Sequence, residues 1–275
     1  MLLVEDNYLS VLKNLKKNVV DLIICDLNYG NLNKDNPNAQ KYREKADLKI
    51  LWTQLKRVVK PTGTIIFFGA GLYTCEVMMS NKTWWRYNWV WKKGNKCTGF
   101  LNVAKRPLTN HEDIIIFQKL SVEKGANYNP RMTIGEKNYA PGFIKLSHGT
   151  DAKSNTYGKH KVMDKEDSFE KYPISVINFD VDKESKIVGQ KPELLMEYLI
   201  KTYALTEKDD NGFKKISKKF FVVDLKSRGG TVGVVCKKLD IKYLSIDDDR
   251  ESIDYSTTRI TNVQKVTNIK DKLND

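Results

Sequence analysis

The sequence predicts an α/β fold, a mostly parallel, twisted sheet flanked by helices and interrupted by a loop-rich insert. Three observations carry this expectation. VDLIICD (residues 20–26) and FFVVD (220–224) are largely apolar runs ending in an acid, the pattern of strands buried on both faces. Amphipathic helical stretches fall between the strand-like runs, as layered α/β folds require. Between them, from residue 121 to 172, periodicity fades into Gly, Asn, Pro and Lys.

In chain order, residues 20–26 are the first expected strand. Residues 39–60 follow as a helix with Leu48, Leu51, Trp52, Leu55, Val58 and Val59 on one stripe, stopped by Pro61. TGTIIFF (62–68) is a strand, and residues 85–91 and 113–117 are two more. Residues 192–204 read as a helix with Pro192 at its start. The strand at 220–224 leads into Arg228-Gly229-Gly230, a helix (TVGVVCKKL, 231–239) and the strand KYLSID (242–247). The basic stretch 214–219 reads as a surface loop. No internal repeat is present. The expected organisation is 1–120 as one half of the fold, 121–180 as the insert and 181–275 as the other half.

Composition narrows the function. In 275 residues, 47 Lys and Arg face 34 Asp and Glu, giving a net charge of +13 and a pI near 9.3. A polyanion is therefore the first partner to consider. At 40% hydrophobic residues the chain is not a disordered tail. No apolar run reaches a membrane-spanning length, and MLLVEDNYLS lacks a cationic head before an apolar stretch, so neither a membrane anchor nor a secretory signal is expected. Cys25, Cys75, Cys97 and Cys236 are far apart, against a disulfide scaffold or a zinc site and in keeping with a cytoplasmic protein.

Charge position adds to its sum. Positions 77–111 hold no acid, yet contain Lys82, Arg86, Lys92, Lys93, Lys96, Lys105 and Arg106 among Trp84, Trp85, Tyr87, Trp89, Trp91 and Phe100. Cations beside aromatics suit phosphate contact and base stacking. Alternation of Trp85, Tyr87, Trp89 and Trp91 with Arg86, Asn88, Val90 and Lys92 also fits a strand with one buried face, the reading adopted for the tryptophans. In the insert, Arg131, Lys145, Lys153, Lys159 and Lys161 are further candidates for nucleic-acid contact, or ordinary surface cations. His111 reads as a structural or phosphate-side residue. His148 and His160 have no Cys or carboxylate at ligand spacing, so no metal site is expected. Of the run Asp247-Asp248-Asp249, only the first is expected to do more than face water.

Strand, glycine turn, helix, strand and terminal acid make a mononucleotide-binding half unit, in which the helix N-terminus receives a polar group and the acid receives ribose hydroxyls. The spacing alone fits many α/β proteins, and G-x-G-x-x-G is absent. Asp26-Leu27-Asn28-Tyr29 ends the first strand. Gln190-Lys191-Pro192 opens the helix ELLMEYLIKTYA, and Asp224 to Gly233 precedes the acid-tipped strand. In that order, and together with GTIIFFG, KGNKCTGFLNVAKRPLTNHEDIIIFQK and YNPRMTIGE, these stretches resemble the circularly permuted β-class DNA adenine amino-methyltransferases, especially short phage and prophage methylases. The resemblance spans residues 3–262.

That resemblance implies a Rossmann-like class I methyltransferase fold, a bacterial or phage-infected cytoplasm, DNA as partner, dimers, and transfer of a methyl group from S-adenosylmethionine to a flipped-out adenine. It implies Asp26 as acceptor of the target amine, beside a backbone carbonyl in the Leu27-Asn28 stretch, and Tyr29 as stacking platform. Asp6, Gln190, Lys191, Pro192, Asp224, Arg228, Gly229, Gly230, Thr231 and Asp247 would surround the cofactor, with Asp247 on its ribose. Arg86, Lys92, Lys93, Lys96, Lys105, Arg106, Arg131 and Lys145 would meet DNA.

Departures from the family pattern sit at the chemistry. Asp-Pro-Pro-Tyr has lost both prolines, which hold the amine-facing carbonyl in place. Where the family has His-Pro-Thr-Gln-Lys-Pro, this chain reads Ile187-Val188-Gly189-Gln190-Lys191-Pro192. Asp-Pro-Phe-x-Gly-Ser-Gly has become Asp224-Leu225-Lys226-Ser227-Arg228-Gly229-Gly230, with Arg228 in place of a glycine. Two readings follow. One is a catalytically impaired methyltransferase-fold protein, acting through DNA or as partner of an active subunit, with no cofactor. The other is an active, site-specific adenine N6-methyltransferase using S-adenosylmethionine through variant motifs.

Overall fold

The structure is a computed structural model and describes residues 2–29, 45–136, 169–183, 185–187, 189–209 and 212–263, with backbone strands at 151–154 and 158–161. In chain order the elements are β1 (Leu2–Glu5), α1 (Tyr8–Asn14), β2 (Val20–Cys25), α2 (Leu48–Val58), β3 (Val59–Gly69), α3 (Leu72–Ser80), β4 (Trp85–Lys92) and β5 (His111–Gln118). The short strands β6 (Thr133–Ile134), β7 (Asp151–Ser154), β8 (Gly158–Lys161), β9 (Glu170–Lys171) and β10 (Val176–Asn178) come next. Then follow α4 (Glu193–Tyr203), β11 (Thr206–Lys208), β12 (Lys214–Ile216), β13 (Phe221–Asp224), α5 (Thr231–Lys238), β14 (Lys242–Asp247) and α6 (Arg250–Thr261). Two compact units are present, Met1–Asn129 with Ser175–Asp275, and Pro130–Ile174. The smaller lies inside the stretch 121–180 expected as an insert. Its described residues form two antiparallel pairs, β6 with β9 and β7 with β8.

The larger unit holds an eight-stranded sheet in the order β1-β14-β13-β2-β3-β5-β4-β10. All neighbours pair in parallel except β5, which runs against both β3 and β4. The α/β expectation therefore holds. Both faces of β2 are buried: Leu22 and Ile24 pack with α4 and α5 on one side, Ile23 and Cys25 with α1, α2 and α3 on the other. This two-sided burial is what the largely apolar run of residues 20–25 encodes, its one acid, Asp21, being buried and paired with Lys60.

Several expectations need correction. The helix expected over 39–60 is described only as Leu48–Val58, capped by Asp47, whose carboxylate accepts from the Lys49 and Ile50 amides; residues 39–44 lie outside the described residues. Val59, Lys60 and Pro61 are strand, not helix end. Between the pairs Val20↔Val59 and Leu22↔Thr64 the β2–β3 register shifts, and a bulge tolerates a proline that a regular ladder would not. Pro192 is the N-cap of α4 rather than its first helical residue. Trp85 is 40% exposed, whereas Trp89 and Trp91 are 4% and 2% exposed; a register shift between Trp85 and Tyr87 breaks the alternation. Lys214–Ile216 is a strand paired with β11, not a loop. The sequence reading missed β1, α1, α3, α6 and the short strands β6 to β11. Among the described residues no helix is long and apolar enough to cross a membrane, and no group of His, Cys, Asp and Glu could hold a metal.

Candidate functional site

The chain winds the sheet outward in both directions from the seam between β13 and β2, towards β14 and β1 on one side and β3 on the other. At such a seam successive connections diverge and leave a crevice beyond the carboxyl ends of the strands. Asp26 follows β2, Asp224 ends β13 and Asp247 ends β14. Asp6 follows β1, with its amide donating to the Asp247 carbonyl at 3.0 Å. Its carboxylate is exposed. Four acids from distant parts of the chain thus gather at one end of the sheet.

Asp26 is 5% exposed and surrounded by cations. Lys191 Nζ donates to its Oδ1 at 2.7 Å. Arg228 Nε lies 3.3 Å from its Oδ2, and Arg228 Nε and Nη2 each lie 3.3 Å from its backbone carbonyl. Nη2 also donates to Asn28 Oδ1 at 3.2 Å. One guanidinium therefore engages the carboxylate, the carbonyl and the next polar side chain together, a use of Arg's planar donor fork.

A second layer continues through Glu112 at the start of β5. Its carboxylate accepts from Tyr29 Oη at 3.2 Å and pairs with Lys93 at 2.5 Å and Lys191 at 3.3 Å. Burial alone would raise Glu112, but Lys191 and Lys93 overcome it and hold the carboxyl below its usual range. Burial, then the charges of Glu112 and Asp26, push the Tyr29 hydroxyl well up. The Tyr29 ring stacks on Tyr73 of α3, with centroids 5.0 Å apart and planes at 24°. Sequence reasoning assigned no role to Glu112. The available signal was that it is the first acid after the cationic run, at the head of an apolar strand.

The turn after β13 forms the other wall. Arg228 has φ +46 and Gly230 φ +71. The Arg228 amide donates to Asp247 Oδ2 at 2.8 Å, Ser256 Oγ donates to its carbonyl at 2.9 Å, and its side chain is pinned at Asp26. These contacts hold a non-glycine residue where it would otherwise be strained. Lys226 Nζ donates to Asp247 Oδ1 at 2.6 Å and also reaches Asp248. Burial works against the Lys226 charge, but Asp247 raises it above its ordinary value. Asp224 is fully buried, and burial, then the charge of Asp26, pushes its carboxyl up to about 8. Gln190 lies over Gly229, where an added Cβ would fall 2.0 Å from Gln190 Oε1. That Oε1 is buried without a hydrogen-bond partner among the described residues. Thr231 Oγ1, at the start of α5, donates to the Lys191 carbonyl at 3.0 Å.

The expected residues are thus partly regrouped. Asp26, Gln190, Lys191, Asp224, Arg228 and Thr231 line one cleft with Lys226 and Ser227. Lys191, expected beside a cofactor, lines this cleft and bonds Asp26. Asp249, expected to face water, caps α6 by accepting from the Ser252 amide and hydroxyl. Lys92, Lys96, Lys105 and Arg106 are exposed. Lys93, expected on DNA, is tied to Glu112 and sits 5.4 Å over the Trp91 ring. Arg86 donates to the Lys119 carbonyl. Arg131 belongs to the smaller unit, and Lys145 and His148 lie outside the described residues.

The acids at which an adenosyl cofactor is expected already carry partners of the chain's own. Asp247, expected to accept the ribose, already receives Lys226, the Arg228 amide and the Asp249 amide, the last at 3.0 Å.

A family model described as DNA methylase matches residues 20–258. The chain is 24% identical over 280 residues to the type II methyltransferase M2.LlaDCHI of Lactococcus lactis subsp. cremoris, covering 94% of this chain and 88% of that one. It is 27% identical over 274 residues to M.HpaI of Haemophilus parainfluenzae, covering 94% and 73%. Among solved structures it resembles the PvuII DNA methyltransferase (cytosine-N4-specific), with a TM-score of 0.61 at 14% identity over 98% of this chain and 88% of that one. It also resembles the M1.HpyAVI–SAM complex, with a TM-score of 0.54 at 16% identity over 94% and 98%. At these identities the likeness is one of fold, that of class I methyltransferases.

Proposed function

Because this chain belongs to the DNA methylase family, we propose that it is a β-class, adenine-directed homologue of phage or prophage type whose catalysis is impaired, and which acts by gripping DNA or by pairing with an active methyltransferase subunit. The observation that carries this reading is the Arg228 guanidinium. It occupies the Asp26 carboxylate, the acid that the motif would offer to a target amine, and spans the neighbouring Asp26 carbonyl and Asn28 Oδ1. Lys226 does the same at the Asp247 acceptor. The adenine preference rests on Asp26 standing first in the motif, since one structural neighbour is cytosine-N4-specific by name. The M2 designation of the Lactococcus relative fits work beside a second methyltransferase. The setting would be a bacterial or phage-infected cytoplasm.

The active reading draws on a different observation. Asp224 and Asp247 end β13 and β14, and Asp26 and Tyr29 follow β2, so the acids and the ring that an active enzyme would use remain at the carboxyl ends of these strands. Calorimetric titration of the full chain with S-adenosylmethionine and S-adenosylhomocysteine separates the two. No heat at millimolar ligand is expected, with binding appearing in Arg228→Gly, and methyl transfer to DNA appearing once Leu27→Pro and Asn28→Pro are added. Micromolar binding by the parent, about −8 kcal/mol, together with methylation of DNA, would sink the impaired reading.

A further inference from the structure

The loop joining β4 to β5, residues 93–110, carries apolar side chains that the fold leaves in water. Phe100, Leu101 and Val103 are 65%, 97% and 61% exposed. Their segment is nonetheless a built turn. Thr98 and Thr109 pair across its neck through two backbone bonds of 2.8 and 3.0 Å. Gly99, at φ +97, turns the chain into a single 3-10 turn, Phe100–Asn102. The Asn102 amide closes on the Gly99 carbonyl at 3.0 Å, and the Lys105 and Arg106 amides close on the Asn102 carbonyl at 2.8 and 3.0 Å. Largely exposed apolar side chains therefore stand on an ordered backbone.

Two further features say what this tip meets. Its flanks carry Lys96, Lys105 and Arg106, all exposed, and no acid occurs between positions 77 and 111. An apolar tip flanked by cations alone matches a polyanion with an apolar interior, whereas a protein surface of mixed charge would call for both signs. The base of the loop is also tied to the site. Lys93 pairs with Glu112, which bonds Tyr29 and Lys191, and Lys191 holds Asp26.

We propose that this tip is a wedge for duplex DNA, with Leu101, assisted by Phe100 and Val103, entering the base stack while Lys96, Lys105 and Arg106 take the flanking phosphates. The inference rests on the DNA-binding reading above and adds the mode of grip. Apolar side chains inserted between base steps replace lost stacking, and nearby cations release counterions from the backbone. The insertion is easiest where a base is already missing.

The test uses the full chain and fluorescein-labelled duplexes of mixed sequence, one fully paired and one identical but for a central abasic site, beside the corresponding single strand. The abasic duplex is expected to bind several-fold more tightly than the paired one. The double variant Phe100→Ser/Leu101→Ser should bring that ratio close to one while its binding keeps the parent's salt dependence. Because both side chains are exposed, the variant's melting temperature should match the parent's, which separates loss of the wedge from loss of the fold. A ratio that survives the substitution overturns the wedge, as does an equal loss of affinity for the single strand, which would make the tip a stacking platform. Failure to bind any of the three DNAs overturns the DNA-binding reading and the wedge with it.

Discussion

Arg228 shows how one residue changes what a fold can hold. At φ +46 it occupies a region that costs a side chain about 1–2 kcal/mol relative to glycine, and its contacts to Asp247, Ser256 and Asp26 keep it there. Its identity and its misfit with the family glycine were legible in the sequence, but its partners were not. Asp26 is 202 residues away, and only a folded chain shows that the guanidinium reaches it. Asp224 is a second case. Burial, then the charge of Asp26, raises its carboxyl from the usual range to about 8, so the folded chain holds this proton more tightly than the unfolded chain does. Its contribution to stability is complete at acid pH, falls as pH rises towards 8 by up to about 1.4 kcal/mol per pH unit, and is level above that. Asp224→Asn, which keeps an acceptor for the Lys226 amide, should remove this fall. The advantage of the variant in melting temperature should therefore grow from about pH 5 to about pH 8. A difference that stays constant with pH would mean that Asp224 ionises freely in the folded chain.

At the level of elements, strands buried on both faces were the most legible. Apolar runs fix β2, β13 and β14 to within a residue, because a strand covered on both sides tolerates little else. Boundaries set by pairing were not legible. Pro61 reads as the stop of a helix, yet it lies within β3, where a bulge opposite β2 admits it. Trp85 reads as buried, yet a register shift turns it outward. The turn into α5 depends on a neighbouring helix in the same way. A Cβ on Gly230, which has φ +71, would fall 2.7 Å from Ser256 Cβ and 3.0 Å from its Cα on α6. Gly230→Ala should thus combine backbone strain with a clash against backbone, a loss of about 2–4 kcal/mol. Urea unfolding measures this directly, and an unchanged midpoint would mean that α6 yields without cost.

For the whole molecule, the +13 charge predicts DNA binding that weakens steeply with salt. Lys105 and Arg106 are exposed, and neutralising both as Gln should reduce the slope of log affinity against log salt by about 2, at roughly 0.9 per phosphate contact. An unchanged slope would place the phosphate contacts elsewhere on the chain. Composition, charge placement and apolar periodicity are local properties of a chain, so the sequence by itself determined the α/β class, the cationic stretch, six of the eight strands of the large sheet and the ordered motifs that carry the family resemblance. It also showed which motif positions had changed. Only the tertiary structure decided that Lys191 serves Asp26, that Glu112 joins Tyr29 to Lys93, and that Lys226 and Arg228 close over the acids of the crevice. These are contacts between groups far apart in sequence, and their geometry is set by how parallel strands are ordered across the sheet rather than by any pattern within a strand or helix.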